Sequence, residues 1–142
     1  MSTRRSLLSM TLSLCAMAGF PFAATLAQDK APAIDGYDPV AYFTEKKPVQ
    51  GKVEFSQVFD ERRYLFSSAK HRDLFAANPE RYEPQFNGLC AGGVSKGNKV
   101  KADPTIWRVI DNKLYVYSMQ MSSEDKYASI AAAAQARWKT IK

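Results

Sequence analysis

The chain has 142 residues, of which 46% are hydrophobic and 24% charged, and its formal net charge is +6. This length suits one compact domain and is too short for a two-domain enzyme. The composition is typical of globular proteins, which excludes a disordered or collagen-like chain. One histidine and two cysteines are too few for a structural zinc finger or a cysteine-ligated iron–sulfur cluster.

Residues 1–27 have the pattern of a cleavable export signal. Arg4 and Arg5 precede an apolar stretch at 7–22, and small residues lead to a predicted cleavage after Ala27. Serine, glycine and proline interrupt the apolar stretch, so no stable membrane insertion is expected after cleavage. The arginine pair is similar to a twin-arginine signal, and the general secretory route is the alternative. We therefore predict a periplasmic protein.

Cleavage leaves Cys90 as the one cysteine of residues 28–142. An internal disulfide is then excluded, and in an oxidising compartment a lone thiol is buried, metal-bound, in a mixed disulfide or reactive. The other cysteine, Cys15, follows Leu14, where a lipid-attachment site needs a small residue. Basic and acidic residues are interspersed, which argues against a nucleic-acid partner.

The first half of the predicted domain, residues 34–142, follows a mobile lead at 28–33. Its opening motif DGYDPVAYF places a turn at Asp35. The apolar runs KVEFSQVF and RYLF flank the polar residues DER, which predicts a β-hairpin. Ser67 and Ser68 are candidate caps for a short helix that ends before the next proline.

The second half begins with the glycine-rich segment QFNGLCAGGVSKGNK. IWRVI and KLYVY then form a hairpin across Asp111 and Asn112, and apolar residues recur at helical spacing from about 123 to 139. No internal repeat is apparent. The pattern predicts a small single α+β domain, with two antiparallel β-hairpins packed with helices that include a C-terminal amphipathic helix.

Several motifs of the predicted domain resemble those of a known family. The run YLFSSAKHRDLFAANPERYEPQFNGLCAGGVSKGNKVKADPTIWRVIDNKLYVY, with DGYDPVAYF before it, resembles a YHS domain of the form found alone in small exported bacterial proteins. The resemblance covers about residues 34–138, and several separated motifs agree in order. It implies a role in metal handling, because related domains are fused to copper-pumping ATPases and other metal-handling proteins.

The metal-binding relatives carry cysteines in DPVCGM and FCSxxC motifs that this chain does not keep. Ala41 stands at the first cysteine, Ser67 at the second and His71 at the third. The stand-alone branch instead has the cysteine of GLCAGGVS, here Cys90, and some relatives carry selenocysteine at that place. The resemblance therefore implies redox or soft-metal chemistry at Cys90.

Taken without the resemblance, Cys90 lies in a glycine-rich loop near Lys96, Lys99 and Lys101. Cations and loop N–H groups stabilise a thiolate, which acts as a nucleophile or a metal ligand. The alternative is a small buried residue beneath a glycine turn. With no second cysteine, a dithiol cycle within one chain is excluded. A mixed disulfide, a sulfenic acid and a metal thiolate stay open.

Three further side chains are candidate ligands. His71 lies early in a predicted helix and, if it faces the Cys90 loop, gives a pair for one metal ion or for thiolate activation; the alternative is a surface or capping histidine. Met119 and Met121 follow the last strand, and thioethers complete a soft set suited to Cu(I); the alternative is core filling. The predicted metal ligands are Cys90, His71, Met119 and Met121, with copper the foremost candidate. No catalytic or cofactor-binding residue is predicted.

The remaining polar and aromatic residues have simpler interpretations. Four aspartates in turn sequences are expected to accept hydrogen bonds from the backbone, namely Asp35, Asp38, Asp103 and Asp111. Tyrosine and tryptophan side chains are expected in the core, and the alternative is that they line a pocket for a small apolar ligand.

Three hypotheses about function remain. The first is a periplasmic protein that binds a soft metal through Cys90 with His71 or a methionine. The second is a single-thiol redox or peroxide-responsive protein. The third is a small-ligand or protein-interaction module in which Cys90 is structural. The sequence favours the first through the family resemblance and holds no evidence for a cleft or an oxyanion site of a hydrolase.

Overall fold

The computed structural model describes residues 30–142. The predicted signal at 1–27 lies outside this range, as does the start of the predicted lead at 28–33. No helix of the described residues is both long enough and apolar enough to cross a membrane.

The N-terminal half contains two short helical segments, a hairpin and a longer helix. A helical turn at Ala33–Gly36 is followed by helix α1, strands β1 and β2, and helix α2. Their bounds are Ala41–Thr44 for α1, Lys52–Phe59 for β1, Arg62–Phe66 for β2 and Ala69–Ala77 for α2.

The C-terminal half follows after helix α3, Pro79–Tyr82, which begins at a proline as the sequence predicts. A second helical turn at Gln85–Gly88 leads into the glycine-rich segment. The remaining elements are helix α4 at Ala91–Ser95, β3 at Asp103–Ile110, β4 at Lys113–Tyr117 and helix α5 at Glu124–Ile141.

The predicted fold class is confirmed. β1 pairs with β2 and β3 with β4, and each pair is a separate antiparallel two-stranded sheet. Helix α5 buries Tyr127, Ala131 and Ala134 in one stripe, as its helical spacing predicts. These residues pack with the buried strand β4 into the larger of the apolar cores, because a two-stranded hairpin alone cannot bury enough surface to be stable.

The two halves repeat one structural plan, which corrects the expectation of a chain without a repeat. Each helical turn places three successive residues at positive φ and ends in glycine: Ile34, Asp35 and Gly36 in the first half, and Phe86, Asn87 and Gly88 in the second. Each turn leads into an extended residue and then a short helix.

The hairpins correspond in the same detail. Lys52 pairs with Phe66 in the first and Asp103 with Tyr117 in the second, and both first strands then have a bulge. Both hairpins turn through two residues at positive φ, the turn that the strand twist favours. The second turn is the predicted one at Asp111 and Asn112.

One tyrosine connects the halves. The Tyr42 hydroxyl of α1 donates a hydrogen bond of 2.8 Å to the Pro104 carbonyl of β3. Its ring meets the Trp107 ring edge-on at 5.1 Å and packs with buried Ile34 and Leu114. Tyr42 thereby ties α1 to both strands of the second hairpin.

Candidate functional site

Cys90 is fixed by its own backbone immediately before helix α4. Its N–H donates to the Val100 carbonyl at 2.8 Å, and its carbonyl accepts from the Val94 N–H at 3.0 Å. The residue is only 2% exposed. The glycines of the segment permit this close packing, since a side chain on Gly93 would meet Val100 at 2.7 Å.

The Cys90 sulfur has one polar neighbour, Ser118, at the end of β4. The Ser118 N–H donates to Sγ at 3.2 Å, and the thiol donates to the Ser118 hydroxyl, also at 3.2 Å. The sulfur therefore faces a backbone donor and a hydroxyl that can reverse its role, an arrangement that can hold a thiol or a negatively charged sulfur.

A cavity of about 430 Å³ lies beside Cys90. We call it the Cys90 pocket. Its walls come from α4 and the loop after it, from the loop between β4 and α5, and from Ile130 of α5. Its volume lies within the range of small-ligand sites. Its polar and sulfur-bearing lining residues are Cys90, Ser95, Lys96, Asn98, Ser118, Met119 and Met121, and Gly92 lies beside the sulfur.

Met119 and Met121 both line this pocket. Met119 is 62% exposed, whereas Met121 is half-buried and packs against the C-terminal core. The Met121 N–H donates to the Tyr127 hydroxyl at 2.9 Å, which fixes the loop between β4 and α5 at this point. Three sulfur-bearing residues that lie up to 31 positions apart thus come to one cavity.

His71, by contrast, does not face the Cys90 loop, which corrects the expectation that the two residues form a pair. Its Nδ1 lies 2.6 Å from Asp38 Oδ2 and its Nε2 lies 3.3 Å from Thr44 Oγ1. Both ring nitrogens therefore have partners in the N-terminal half. The imidazole is almost fully buried, and it is not among the residues that line the Cys90 pocket.

The positions at which metal-binding YHS domains carry cysteine have other roles here. Ala41 is buried and offers no ligand atom. The Ser67 hydroxyl donates to Asp38 Oδ2 at 2.7 Å. His71 is bonded to the same carboxylate, so Ser67 and His71 form a hydrogen-bonded cluster with Asp38 and not a ligand set for a soft metal.

The aspartates accept hydrogen bonds as predicted where their contacts are described. Asp38 Oδ1 accepts from the Val40 N–H at 2.9 Å, and Asp103 Oδ1 accepts from the Thr105 N–H at 2.9 Å. The bonds from Thr105 lower the pKa of the Asp103 carboxyl. Asp35 instead pairs with Lys101 on the surface at 3.1 Å.

Most of the tyrosines lie in the core, as predicted. Burial raises the pKa of Tyr117 well above its ordinary value, so its hydroxyl stays neutral and donates to the Tyr127 carbonyl. No aromatic side chain is among the residues that line the Cys90 pocket. The alternative of an aromatic-lined pocket therefore has no counterpart at this cavity.

Sequence reasoning missed two important residues. Ser118 contacts the Cys90 sulfur, and Asp38 holds His71 in a buried pair. A signal for Ser118 was present, since it follows β4 as Ser67 follows β2, but its meaning depends on the structural repeat. In the sequence, Asp38 resembles an ordinary turn aspartate. Only the tertiary structure shows that its second oxygen accepts hydrogen bonds from Ser67 and His71.

Within residues 30–142, no three histidine, cysteine, aspartate or glutamate side chains gather as a metal-binding group. No protein-family model, curated protein or solved structure matches this chain. The functional argument therefore depends on the geometry of the site and on the motif resemblance alone.

Proposed function

We propose that this protein is an exported member of the YHS family that binds one soft metal ion, copper foremost, at the Cys90 pocket. Cys90 supplies the thiolate, and Met119 and Met121 supply thioethers. The metal is the protein's cargo, held for transfer in the periplasm and not used for catalysis.

The observation that carries this proposal is the shared position of the three sulfur-bearing residues around one cavity. Thiolate and thioether donors select Cu(I) over metals that prefer oxygen. The Asp38 carboxylate already accepts hydrogen bonds on both oxygens and is not among the residues that line the pocket. The residues present therefore fit a soft ion better than Mg²⁺ or Ca²⁺.

The chain's own groups would divide the work of binding. Ser118 orients the Cys90 sulfur through its N–H and hydroxyl. Met121 is anchored by Tyr127 and would give a fixed donor, whereas exposed Met119 would meet the ion first and release it last. An entry residue at the surface and a fixed residue below it suit a protein that passes its ion to a partner.

An anaerobic Cu(I) titration against a chromophoric chelator tests the proposal. The full chain carries Cys15→Ser in every variant, so that Cys90 is the one thiol. One Cu(I) should bind per chain. Loss of a residue that only supports a metal ligand typically weakens metal affinity about 10–100-fold. Cys90 is proposed as a direct ligand, so Cys90→Ser should weaken the Cu(I) affinity by more than this. Met121→Leu keeps the side-chain volume and should weaken binding less.

His71→Ala is the matched control, because His71 lies outside the pocket. Its copper affinity should equal that of the parent protein once folding is verified. Copper binding lost in His71→Ala and kept in Cys90→Ser would overturn the proposal. Absence of copper binding would also overturn it. In that case, rapid alkylation of Cys90 in the folded protein would favour the thiol redox hypothesis. Alkylation of Cys90 only after unfolding would favour a structural cysteine.

A further inference from the structure

The N-terminal half contains a site that corresponds to the Cys90 pocket, and in that site the His71 imidazole contacts Asp38. By the structural repeat, Cys90 corresponds to Asp38: each residue follows the helical turn and precedes a short helix. The Asp38 N–H donates to the Val49 carbonyl at 2.8 Å, as the Cys90 N–H donates to the Val100 carbonyl at 2.8 Å.

The side chains of this pair also have matching neighbours. The Ser67 N–H and hydroxyl both contact Asp38 Oδ2, at 2.9 and 2.7 Å. The Ser118 N–H and hydroxyl both contact Cys90 Sγ, each at 3.2 Å. The carboxylate oxygen and the sulfur therefore occupy equivalent places, each bonded to a serine that ends the second strand of its hairpin.

The third partner of the oxygen is the His71 imidazole, which also contacts Ser67 at 3.3 Å and Thr44 at 3.3 Å. Thr44 bonds back to the Val40 carbonyl. In the second half, Ser95 bonds to the Gly92 carbonyl three residues before it, whereas Thr44 bonds four residues before it. The segment from Cys90 to Val100 is one residue shorter than the segment from Asp38 to Val49, so Ser95 is the counterpart of Thr44.

Each residue that hydrogen-bonds the imidazole ring thus has a counterpart in the wall of the Cys90 pocket. Asp38, Ser67 and Thr44 correspond to Cys90, Ser118 and Ser95, and all three of these line the cavity. Glu45, whose Oε1 lies 3.8 Å from Nε2, corresponds to Lys96, which also lines the cavity and carries the opposite charge. The open space of the second half lies where the first half holds an imidazole ring.

The lengths of two connections explain the difference. In the first half, residues 67–68 separate β2 from α2, so the first turn of α2 delivers His71 onto Asp38. In the second half, residues 118–123 separate β4 from α5. The longer loop carries the helix start away from Cys90 and leaves the space beside the sulfur open.

We propose that the Cys90 pocket binds an imidazole group of a small molecule, set against Cys90 Sγ, Ser118 and Ser95 as His71 is set against Asp38, Ser67 and Thr44. This site does not depend on bound copper, and it stands on the repeat and the cavity. A neutral imidazole has one donor nitrogen, which matches the Ser95 oxygen, since that hydroxyl already donates to the Gly92 carbonyl. Its acceptor nitrogen matches the proton of the Ser118 hydroxyl, whose oxygen accepts from the Cys90 thiol.

Imidazole itself is the probe, added to the metal-free full chain carrying Cys15→Ser at a pH where the free ligand is mainly neutral. Saturable amide shifts are expected in NMR spectra at Gly92, Gly93, Ser118 and Met121. Acetamide, a small polar molecule without the ring, should not saturate these shifts. L-histidine then tests whether a free amino acid is accepted.

Gly92→Leu is the pocket-filling variant, since the only neighbour of a Cβ at Gly92 is the Cys90 sulfur at 3.5 Å. It should weaken imidazole binding at least about tenfold, a change of 1.4 kcal/mol. Lys99→Leu adds a leucine on the loop that follows α4, outside the pocket lining, and should leave binding unchanged.

His71→Gly provides a positive control for the chemistry, because it vacates the equivalent place in the first half. Added imidazole should raise the melting temperature of this variant more than that of the parent protein. Absence of saturable shifts in the parent protein overturns the proposal, whatever the control does. Shifts that persist at full affinity in Gly92→Leu overturn it as well. Copper plays no part in this experiment, so its result is separable from the metal titration.

Discussion

At the scale of single residues, the Asp38 carboxylate organises the N-terminal half. Its side chain is completely buried and accepts hydrogen bonds on both oxygens, from α1 through the Val40 N–H and from Ser67 and His71. A buried charge is tolerated only when its lone pairs are satisfied in this way. Asp38 therefore fixes the start of α1, the end of β2 and the start of α2 relative to one another.

Asp38→Asn should destabilise the fold strongly. The amide places donors against the Ser67 and His71 donors, and leaving buried hydrogen-bonding groups without partners costs about 1–3 kcal/mol for each group. Urea denaturation measures the loss. Asp103→Asn is the matched control, because its exposed carboxylate accepts from the Thr105 N–H and an amide oxygen can do the same. A loss below about 1 kcal/mol in Asp38→Asn would contradict the assigned role.

Glu83 predicts a pH dependence. Burial, with Asp60 and Glu80 nearby, raises the pKa of this half-buried carboxyl. A raised pKa means that the folded state binds the proton more tightly than the unfolded state, so the stabilising contribution is present at low pH and is lost as the pH rises through the folded-state pKa. Glu83→Gln should thus melt higher than the parent at pH 7. The two should converge below pH 4.5, the ordinary value. Equal melting temperatures at pH 7 would contradict this.

At the scale of elements, local patterns predict both hairpins and the long helix correctly. Alternating apolar residues, a two-residue turn at Asp111 and Asn112, and a helical stripe on α5 are local signals, and each was sufficient on its own. The glycine-rich segment was less informative. Its α4 helix contains two adjacent glycines, which have low helix propensity. The helix is held by contacts with Val100 in the loop that follows and, through Cys90, with Ser118, and helix propensity predicts neither contact.

The two glycines of α4 should respond differently to alanine. A Cβ on Gly93 would lie 2.7 Å from Val100, so Gly93→Ala should cost about 1–3 kcal/mol through overpacking. A Cβ on Gly92 would meet only Cys90 Sγ at 3.5 Å, so Gly92→Ala should be neutral or stabilising by up to about 1 kcal/mol. Thermal melts of the two variants make the comparison. Equal destabilisation would contradict the packing described for this segment.

At the scale of the whole molecule, the two halves share one arrangement of elements but differ at one site. In the first half His71 packs against Asp38, and in the second half a cavity lies beside Cys90. Few equivalent positions of the two halves carry the same residue, and examples are Tyr64 with Tyr115 and Ser67 with Ser118. The repeat is therefore not recognisable from the sequence. The candidate site was predictable only in part. Cys90, Met119 and Met121 were identified by residue type, but the exclusion of His71 depends on the buried pair with Asp38, a long-range contact.

Tyr42 should be important for the coupling of the two halves. Tyr42→Phe removes the hydrogen bond to Pro104 and leaves a buried carbonyl without its partner, at a cost of about 1–3 kcal/mol. Urea denaturation measures the loss of stability, and amide hydrogen exchange at increasing urea concentration measures whether the two halves unfold together. Amides of β2 and β4 should lose protection at the same denaturant concentration in the parent protein and at different concentrations in Tyr42→Phe. Unchanged stability would show that the halves are joined by other contacts.

The most direct test of the central claim, a soft-metal site at the Cys90 pocket, is copper K-edge X-ray absorption on the Cu(I)-loaded full chain with Cys15→Ser. Without added imidazole, the account predicts sulfur scatterers from Cys90, Met119 and Met121. The same spectrum should be obtained from His71→Ala, and the sulfur signal should decrease in Cys90→Ser. A nitrogen-dominated spectrum that changes in His71→Ala and not in Cys90→Ser would contradict the account.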